Sequence, residues 1–316
     1  MKSFRKAIGL ASLSFFICSC SAPHYKDVSY AYGTSFEYHL FEGRQKDIDS
    51  LINLASSSSY ACDKEAKSNK NGIAAINENG KAVVEDWLLD ELKLGVELCE
   101  ATNGYFSLFC GGLTDLWLSN LNDKTMPTEA EIAAEVALIS QTSLQFNGNE
   151  VIKTGDAKLD LGGLGKGYCL ERIKASLKQK NLSKYWVSAG GSSIIFGENP
   201  NGKEGKTRVE LEDLPEKNLY LKNTSISTSS CAKQLYEVGG TRYSHIVNPF
   251  TGSAKVEIDS VIAIGENAAI LDALTTAVYL EGTSNIKTYE TTYSVSFIVT
   301  SENKITYATS GIELVG

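Results

Sequence analysis

Asp160-Leu161-Gly162-Gly163-Leu164-Gly165-Lys166-Gly167-Tyr168 is the stretch of sequence around which the fold is predicted. Four glycines fall within six consecutive positions, between a strand-like segment (151–161) and a helix predicted over 167–179. Such a turn lets the backbone approach a phosphate closely, and both the helix N-terminus and Lys166 favour an anion. The glycine spacing matches neither a P-loop nor a Rossmann fingerprint. A plain strand-to-helix turn with a solvent-exposed lysine stays open as the alternative.

Helix and strand patterns alternate around this turn without internal repeats. Upstream, the periodicity predicts a strand over 28–40, helices over 47–55, 83–99 and 128–138, a solvated loop over 56–71 and a hairpin over 144–153. Thr128 and Glu131 form the capping box that opens the third of these helices. Downstream, strands are predicted over 185–189, 192–196, 218–221, 242–247, 260–264, 294–300 and 304–308, with a second helix over 268–280. We predict an α+β fold, a single domain built largely on antiparallel sheet with packed helices.

The N-terminus has the layout of a secretory signal. A basic start is followed by an apolar stretch over 7–17, which is shorter than the ~20 residues of a membrane span. Ile17-Cys18-Ser19-Cys20 resembles a bacterial lipobox, and a cleaved signal with a chance cysteine is the alternative. We therefore expect a lipoprotein signal peptide at 1–19, lipidation of Cys20, a tether at 20–30 and the folded domain at 31–316. The protein is then expected in the cell envelope, lipid-anchored to a membrane and facing the periplasm or the exterior.

Composition indicates a folded enzyme-sized chain and excludes some partners. Of 316 residues 42% are hydrophobic, and the formal net charge is −8. An acidic chain without a basic run argues against nucleic-acid binding. Beyond the signal the cysteines are odd in number and irregularly spaced, so most are expected to be small buried residues and one disulfide remains open.

Two further segments bear chemistry. Asp272 and Thr276 are four residues apart on the helix over 268–280, so they project from one face. A carboxylate and a hydroxyl suit a hard cation such as Mg²⁺, although an Asp near a helix start is also common as a cap. His245 precedes Asn248-Pro249, a turn signal, and is either a catalytic group or a structural one. Gly190-Gly191 is predicted within a strand, for close backbone approach or tight packing.

The ordered set of these motifs resembles the ApbE family, the FAD:protein FMN transferases. The glycine turn, Gly190-Gly191, Ser227-Thr-Ser229, His245-Ile-Val-Asn-Pro-Phe-Thr-Gly252 and Asp272-Ala-Leu-Thr-Thr276 follow the order and spacing of that family. Gly33-Thr34 and Thr102-Asn-Gly-Tyr-Phe106 agree with its N-terminal half less tightly. The resemblance covers the chain from about Tyr32 to Gly282.

The resemblance implies a set of site residues. Positions that contact FAD in the family are matched here by Tyr32, Tyr105, Phe106, Ser107, Asp160, Lys166 and Ile246. The metal positions are matched by the backbone carbonyl of Gly163 and by Asp272, Thr275 and Thr276, with Asp272 and His245 as the catalytic pair. The implied reaction is Mg²⁺-dependent transfer of FMN from FAD to a Thr or Ser hydroxyl of an acceptor protein, releasing AMP. The acceptor is unidentified, and a subunit of a membrane redox complex is one candidate.

Departures from the family pattern keep two alternatives open. Tyr32 replaces a Met, Ser107 replaces an Asp and Asn248 replaces an Asp, so the departures concentrate at the flavin end and in turns. A Mg²⁺-dependent FAD pyrophosphatase would use the same site with water as the nucleophile. A non-catalytic flavin-binding lipoprotein would keep only the fold.

Overall fold

The computed structural model describes residues 23–211 and 214–316. The predicted signal peptide and Cys20 lie outside the described residues. The helices are α1 (Gln45–Cys62), α2 (Ile73–Asn79), α3 (Asp86–Ala101), α4 (Gly111–Asn122), α5 (Glu129–Ser140), α6 (Gly165–Gln179), α7 (Ala268–Glu281) and α8 (Ile286–Tyr293). The strands are β1 (Tyr25–Ala31), β2 (Thr34–Leu40), β3 (Lys81–Val83), β4 (Ser143–Asn147), β5 (Glu150–Thr154), β6 (Tyr185–Ala189), β7 (Ser193–Phe196), β8 (Thr207–Leu211), β9 (Leu214–Leu221), β10 (Thr224–Ser230), β11 (Tyr236–Val238), β12 (Thr241–Tyr243), β13 (Ser260–Gly265), β14 (Ser296–Ser301) and β15 (Lys304–Ala308).

An eight-stranded sheet organises the fold, in the order β1-β2-β6-β7-β10-β13-β14-β15. Every pairing in it is antiparallel, which confirms the predicted fold class. Helix α6 packs its apolar side on β6 and β7, and α7 packs Leu271, Leu274 and Val278 on β13 and β14. Apolar burial of this kind is the main favourable term in holding the layers together. The N-termini of both helices are thereby held beside the middle strands.

A second layer of helices covers α7 from the other side. Leu88 and Leu92 of α3 pack against Ala269, Ala273 and Ala277 of α7 in one buried cluster. The small alanines let the two helices approach closely. The three-stranded sheet β3-β5-β4 lies beside this cluster, so α7 is enclosed between the large sheet and α3.

Several predicted elements are confirmed and four are wrong. The hairpin β4–β5 and the capping box of α5 are present as expected, and β6 and β15 have the predicted bounds. Helix α1 continues to Cys62, so the solvated loop predicted over 56–71 begins too early. The strand predicted over 28–40 is the hairpin β1–β2, which turns at Tyr32-Gly33. The strand predicted over 242–247 ends at Tyr243, as strand β12.

Gly190-Gly191 is the fourth correction. The pair forms the turn between β6 and β7 and does not lie within a strand. Both residues have positive φ, +64° and +68°, a conformation that glycine adopts without strain.

Two further findings concern the cysteines and the hydrophobicity of the helices. Cys62, Cys99, Cys110, Cys169 and Cys231 are all free thiols, and three of them are buried. Over the ranges 23–211 and 214–316, none of the helices combines the length and the apolar character needed to cross a bilayer.

Candidate active site

One cavity brings together most of the residues that the sequence singled out. Its volume is about 660 Å³, and it opens between the β1–β2 turn, the N-terminus of α6, helix α7 and strands β7 and β10. The predicted site residues that line it are Tyr32, Tyr105, Phe106, Ser107, Asp160, Gly163, Lys166, His245, Ile246, Asp272 and Thr276. Segments distant in the sequence therefore converge on one surface.

The glycine turn forms the edge of the cavity at the start of α6. Asp160 Oδ1 accepts a hydrogen bond from the Gly162 N–H at 2.7 Å, which fixes the turn, and its Oδ2 pairs with Lys64 Nζ at 2.6 Å. Lys166 lies in the first turn of α6 and donates to the Gly162 carbonyl at 3.4 Å. The helix N-terminus and a lysine are thus placed together, an arrangement that favours an anion.

Asp272 lies at the centre of the cavity wall and is nearly fully buried. Its Oδ2 accepts from the Gly167 N–H at 2.7 Å. Its Oδ1 accepts from two serine hydroxyls, Ser193 at 2.7 Å and Ser227 at 2.5 Å. A Cβ on Gly167 would lie 2.2 Å from the Ala268 carbonyl oxygen, so only glycine lets α6 come close enough for this contact.

The oxygen atoms around Asp272 fit a hard cation. The Thr276 hydroxyl faces Gly163, where a Cβ would lie 3.3 Å from its Oγ1, and it donates to the Asp272 carbonyl at 3.1 Å. A carboxylate has about four lone-pair positions, and three are used, so one remains for a metal. The described part of the chain has no group of three or more His, Cys, Asp or Glu residues that could hold a metal ion, so such a site would rest on hydroxyl and carbonyl oxygens beside one carboxylate.

Thr275 is placed differently from the other predicted metal residues. It is fully buried and does not line the cavity. Its hydroxyl accepts from Ser229 at 3.0 Å and donates to the Asp272 carbonyl at 3.0 Å. Its assignment to the metal stays a prediction, and the contacts observed tie α7 to β10.

His245 lines the same cavity and is half-buried. Burial, and then the charge of Lys166, lower the pKa of its imidazole to about 4. The ring is desolvated beside a cation, and both effects disfavour its protonated form. Its Nδ1 is buried without a hydrogen-bond partner among the described residues. At pH 7 the ring is a neutral base with an unpaired nitrogen.

Aromatic and apolar residues form the remainder of the lining. Phe106 is buried and lies against Gly163, where a Cβ would be 3.2 Å from its Cε2. Tyr105 meets Phe250 edge to face, with ring centroids 5.0 Å apart. Ser107 accepts from the Phe109 N–H. This end of the cavity offers ring surface and little charge, as a planar aromatic ligand requires.

Some of the residues that build the site were missed by the sequence reasoning. Lys64 was placed in a solvated loop, Ser193 was not singled out, and Ser227 was noted only within a motif shared with the family, without a role of its own. One signal was available for the serines: Ser225, Ser227 and Ser229 alternate along β10, and a period of two places them on one face. That face meets α7.

Comparison with known proteins identifies the family. The model of the ApbE family matches residues 32–297. A Klebsiella pneumoniae protein named FAD:protein FMN transferase is 27% identical over 67% of this chain, and the chain spans 66% of its length. A Chlamydia muridarum protein of the same name is 26% identical over 88% of this chain and 91% of its own length.

Solved structures agree with the fold. The Pseudomonas stutzeri flavinyl transferase ApbE in its apo form superposes with a TM-score of 0.76 over 91% of this chain and 95% of that chain, at 18% identity. A Thermotoga maritima ApbE protein gives a TM-score of 0.75 over 93% of this chain and 96% of its own, at 21% identity. Since the family model spans most of the sequence and the same fold recurs in these structures, the chain belongs to the ApbE family.

Proposed function

We propose that this protein transfers FMN from FAD to a Thr or Ser hydroxyl of an acceptor protein, releases AMP and requires Mg²⁺. The observation that carries the proposal is the convergence, in one cavity, of the glycine turn with Lys166, the oxygen atoms around Asp272, and the imidazole of His245, whose Nδ1 has no partner among the described residues. The cavity volume of about 660 Å³ falls within the usual range for small-molecule sites. The names of the relatives in K. pneumoniae and C. muridarum support the same reaction.

Binding of the substrate follows from the charges in the cavity. The N-terminus of α6 and Lys166 hold the pyrophosphate, because both supply positive potential at one point. Tyr105 and Phe106 hold the flavin ring by stacking and edge contacts. When bound, Mg²⁺ would neutralise phosphate oxygens and fix their orientation. Asp272, Thr276 and the Gly163 carbonyl are the groups that would hold it.

His245 supplies the proton acceptor. Its neutral imidazole takes the proton of the acceptor hydroxyl as the hydroxyl oxygen bonds to the FMN phosphorus. The bond from that phosphorus to the AMP oxygen breaks, and AMP leaves with the electron pair. The protein's contribution is mainly to position the two reactants and stabilise the charge.

Incubation of the purified protein with FAD and Mg²⁺, with and without a candidate acceptor, tests the proposal. We expect AMP in proportion to a fluorescent acceptor band that persists after denaturation. Equal AMP and free FMN without any labelled acceptor would assign water as the nucleophile and make the protein a pyrophosphatase. FAD binding without AMP in either reaction would overturn catalysis altogether.

We also propose that the protein acts at the cell envelope, anchored through a lipid on Cys20. The support is the run Ile17-Cys18-Ser19-Cys20 after a basic and apolar leader. Cys20→Ala should leave unprocessed or soluble protein in fractionated cells. Processing and membrane attachment of that variant would remove the assignment.

A further inference from the structure

A second buried carboxylate lies behind the cavity and takes no part in the proposed reaction. Glu91 projects from α3 and is fully buried. Its Oε2 accepts a hydrogen bond from the Cys62 thiol at 3.4 Å. Its Oε1 has no hydrogen-bond partner within the described part of the chain. Buried acids without a partner are rare because desolvating them is costly, so this one calls for an explanation.

The thiol connects Glu91 to the cavity. The Tyr32 hydroxyl donates to Cys62 Sγ at 3.4 Å, and the Tyr32 N–H donates to Ser59 Oγ at 2.6 Å. Ser59 and Cys62 both lie in the last turn of α1. The end of α1 therefore holds the backbone and the ring of Tyr32 at the same time, and Glu91 holds the thiol.

Tyr32 occupies a position where its orientation matters. It lines the cavity and has φ +51° in the β1–β2 turn, a backbone conformation that costs energy for a residue other than glycine. A Cβ on Gly165 would lie 2.8 Å from Tyr32 Cε1. The ring thus packs against the first residue of α6, beside the glycine turn.

We propose that Glu91 is a positioning residue that acts as a neutral carboxylic acid and, through Cys62, fixes the Tyr32 ring against the glycine turn for FAD binding. This inference rests on the proposed function, because it takes Tyr32 as part of the FAD site. A loose ring at this position would enter the space that the substrate occupies.

The surroundings of Glu91 favour its neutral form. Burial raises the pKa of its carboxyl to about 8, against a smaller lowering by Cys62 and by the charge of Arg172. Arg172, on α6, is engaged elsewhere: it stacks on Trp87 at 3.9 Å and donates to Ser58. The other titratable groups that face Glu91 are Tyr32, Cys62, Tyr168 and Cys169. Burial raises the pKa of each of these four, so at pH 7 they bring no charge.

FAD affinity measured by flavin fluorescence at pH 6.5 and at pH 9 tests the proposal in the full-length protein. In the native protein the Kd should rise about three- to tenfold at pH 9, because an ionised and largely unpartnered Glu91 is unfavourable in the apolar cluster and destabilises the packing that holds the Tyr32 ring. Glu91→Gln keeps a neutral acceptor for the thiol and should remove that rise. Glu97→Gln, an exposed position on the same helix, is the matched control and should keep it. Tyr32→Phe should weaken binding by a similar factor at both pH values.

The outcomes separate the two proposals. Absence of FAD binding by the native protein at either pH would overturn the proposed function and this inference with it. Normal binding by the native protein, with Glu91→Gln keeping the same pH dependence, would overturn the inference alone. Tyr32→Phe that lowers the melting temperature but leaves the Kd unchanged would also overturn it, because Tyr32 would then be structural only. Melting curves of all variants establish that each is folded at the assay temperature.

Discussion

Two buried carboxylates lie near the first residues of α6, and their surroundings differ. Asp272, on α7, accepts hydrogen bonds from one backbone N–H and two serine hydroxyls. Glu91, on α3, accepts one from a thiol, and its second oxygen has no partner among the described residues. Thiols are weak donors, so the hydrogen bonds to Glu91 are weaker, as well as fewer, than those to Asp272.

This difference in hydrogen bonding indicates which function each acid can perform. Three good donors are the environment that a charged carboxylate needs, and a charged oxygen at the cavity wall is what a cation needs. A nearly unpartnered carboxylate in an apolar cluster is stable only when protonated. Two acids therefore lie beside the first turn of α6. Asp272 is suited to bind a metal, and Glu91 is suited to hold a side chain in place.

Substitution of Asp272 should have the largest effect. Asp272→Ala should abolish AMP release and sharply weaken Mg²⁺ binding, while FAD binding suffers less because the flavin contacts lie elsewhere. It also leaves the Gly167 N–H and two serine hydroxyls without an acceptor, at about 1–3 kcal/mol for each unsatisfied group. Calorimetry with Mg²⁺ and an AMP assay measure both effects. Unchanged Mg²⁺ affinity in a folded variant would remove Asp272 from the metal site and end the contrast with Glu91.

His245 should have the next largest effect. His245→Gln should keep FAD affinity and lower the rate by about 10²–10⁴-fold, as for the loss of a general base. Because burial and Lys166 lower the pKa of His245 to about 4, the acidic limb of the rate profile should lie near that value in the native protein. Rates measured from pH 3.5 to 8 check this point.

The opposite result for His245 is also well defined. A limb near the ~6.5 of an ordinary histidine would contradict the desolvated environment. Loss of melting temperature together with FAD affinity, at normal activity per folded molecule, would make the histidine a support of the turn that follows it.

The two serines that hold Asp272 should have a smaller effect. Ser193→Ala and Ser227→Ala each remove one donor from Oδ1, and losing a group that orients a metal ligand typically lowers metal affinity about 10–100-fold. Ser192→Ala is the matched control, since its hydroxyl bonds to the Ala189 carbonyl instead. Mg²⁺ titration of the three variants gives the comparison. Equal affinities in all three would mean that Asp272 is oriented without the serines.

The sequence alone points to Asp272 as a functional residue but not to Glu91, for a physical reason. Asp272 and Thr276 are four residues apart on one helix, so local periodicity alone places them on one face. The two serine donors of Asp272 come from 79 and 45 residues away, and only the sheet order brings them together. Glu91 reads as an ordinary helix residue until the packing of α3 on α7 shows that it is buried.

The errors in the predicted fold have the same origin. The four serines at 56–59 are weak helix formers, yet α1 continues through them. Within the helix, the Ser58 hydroxyl donates to the Leu54 carbonyl and accepts a hydrogen bond from the Arg172 guanidinium of α6. The turn at Tyr32-Gly33 has a glycine at only one of its two left-handed positions, so the alternation of the flanking strands concealed it. Tertiary contacts decided both cases.

The smallest effect concerns stability and separates the two acids by pH. The folded-state pKa of Glu91, about 8, lies above its ordinary value of 4.5. The folded protein therefore retains a proton that the unfolded chain loses. The stability from this group is fully present below about pH 4.5 and is lost as pH rises through about 8, with a slope of at most about 1.4 kcal/mol per pH unit.

Denaturant unfolding of the native protein and of Glu91→Gln tests this between pH 6.5 and 8.5. The histidines are the same in both proteins, so their titration cancels in the comparison. The native protein should lose stability with rising pH relative to Glu91→Gln, whose amide does not titrate. Parallel curves for the two proteins would mean that Glu91 is ionised when buried, and Glu91 would then resemble Asp272 instead of contrasting with it.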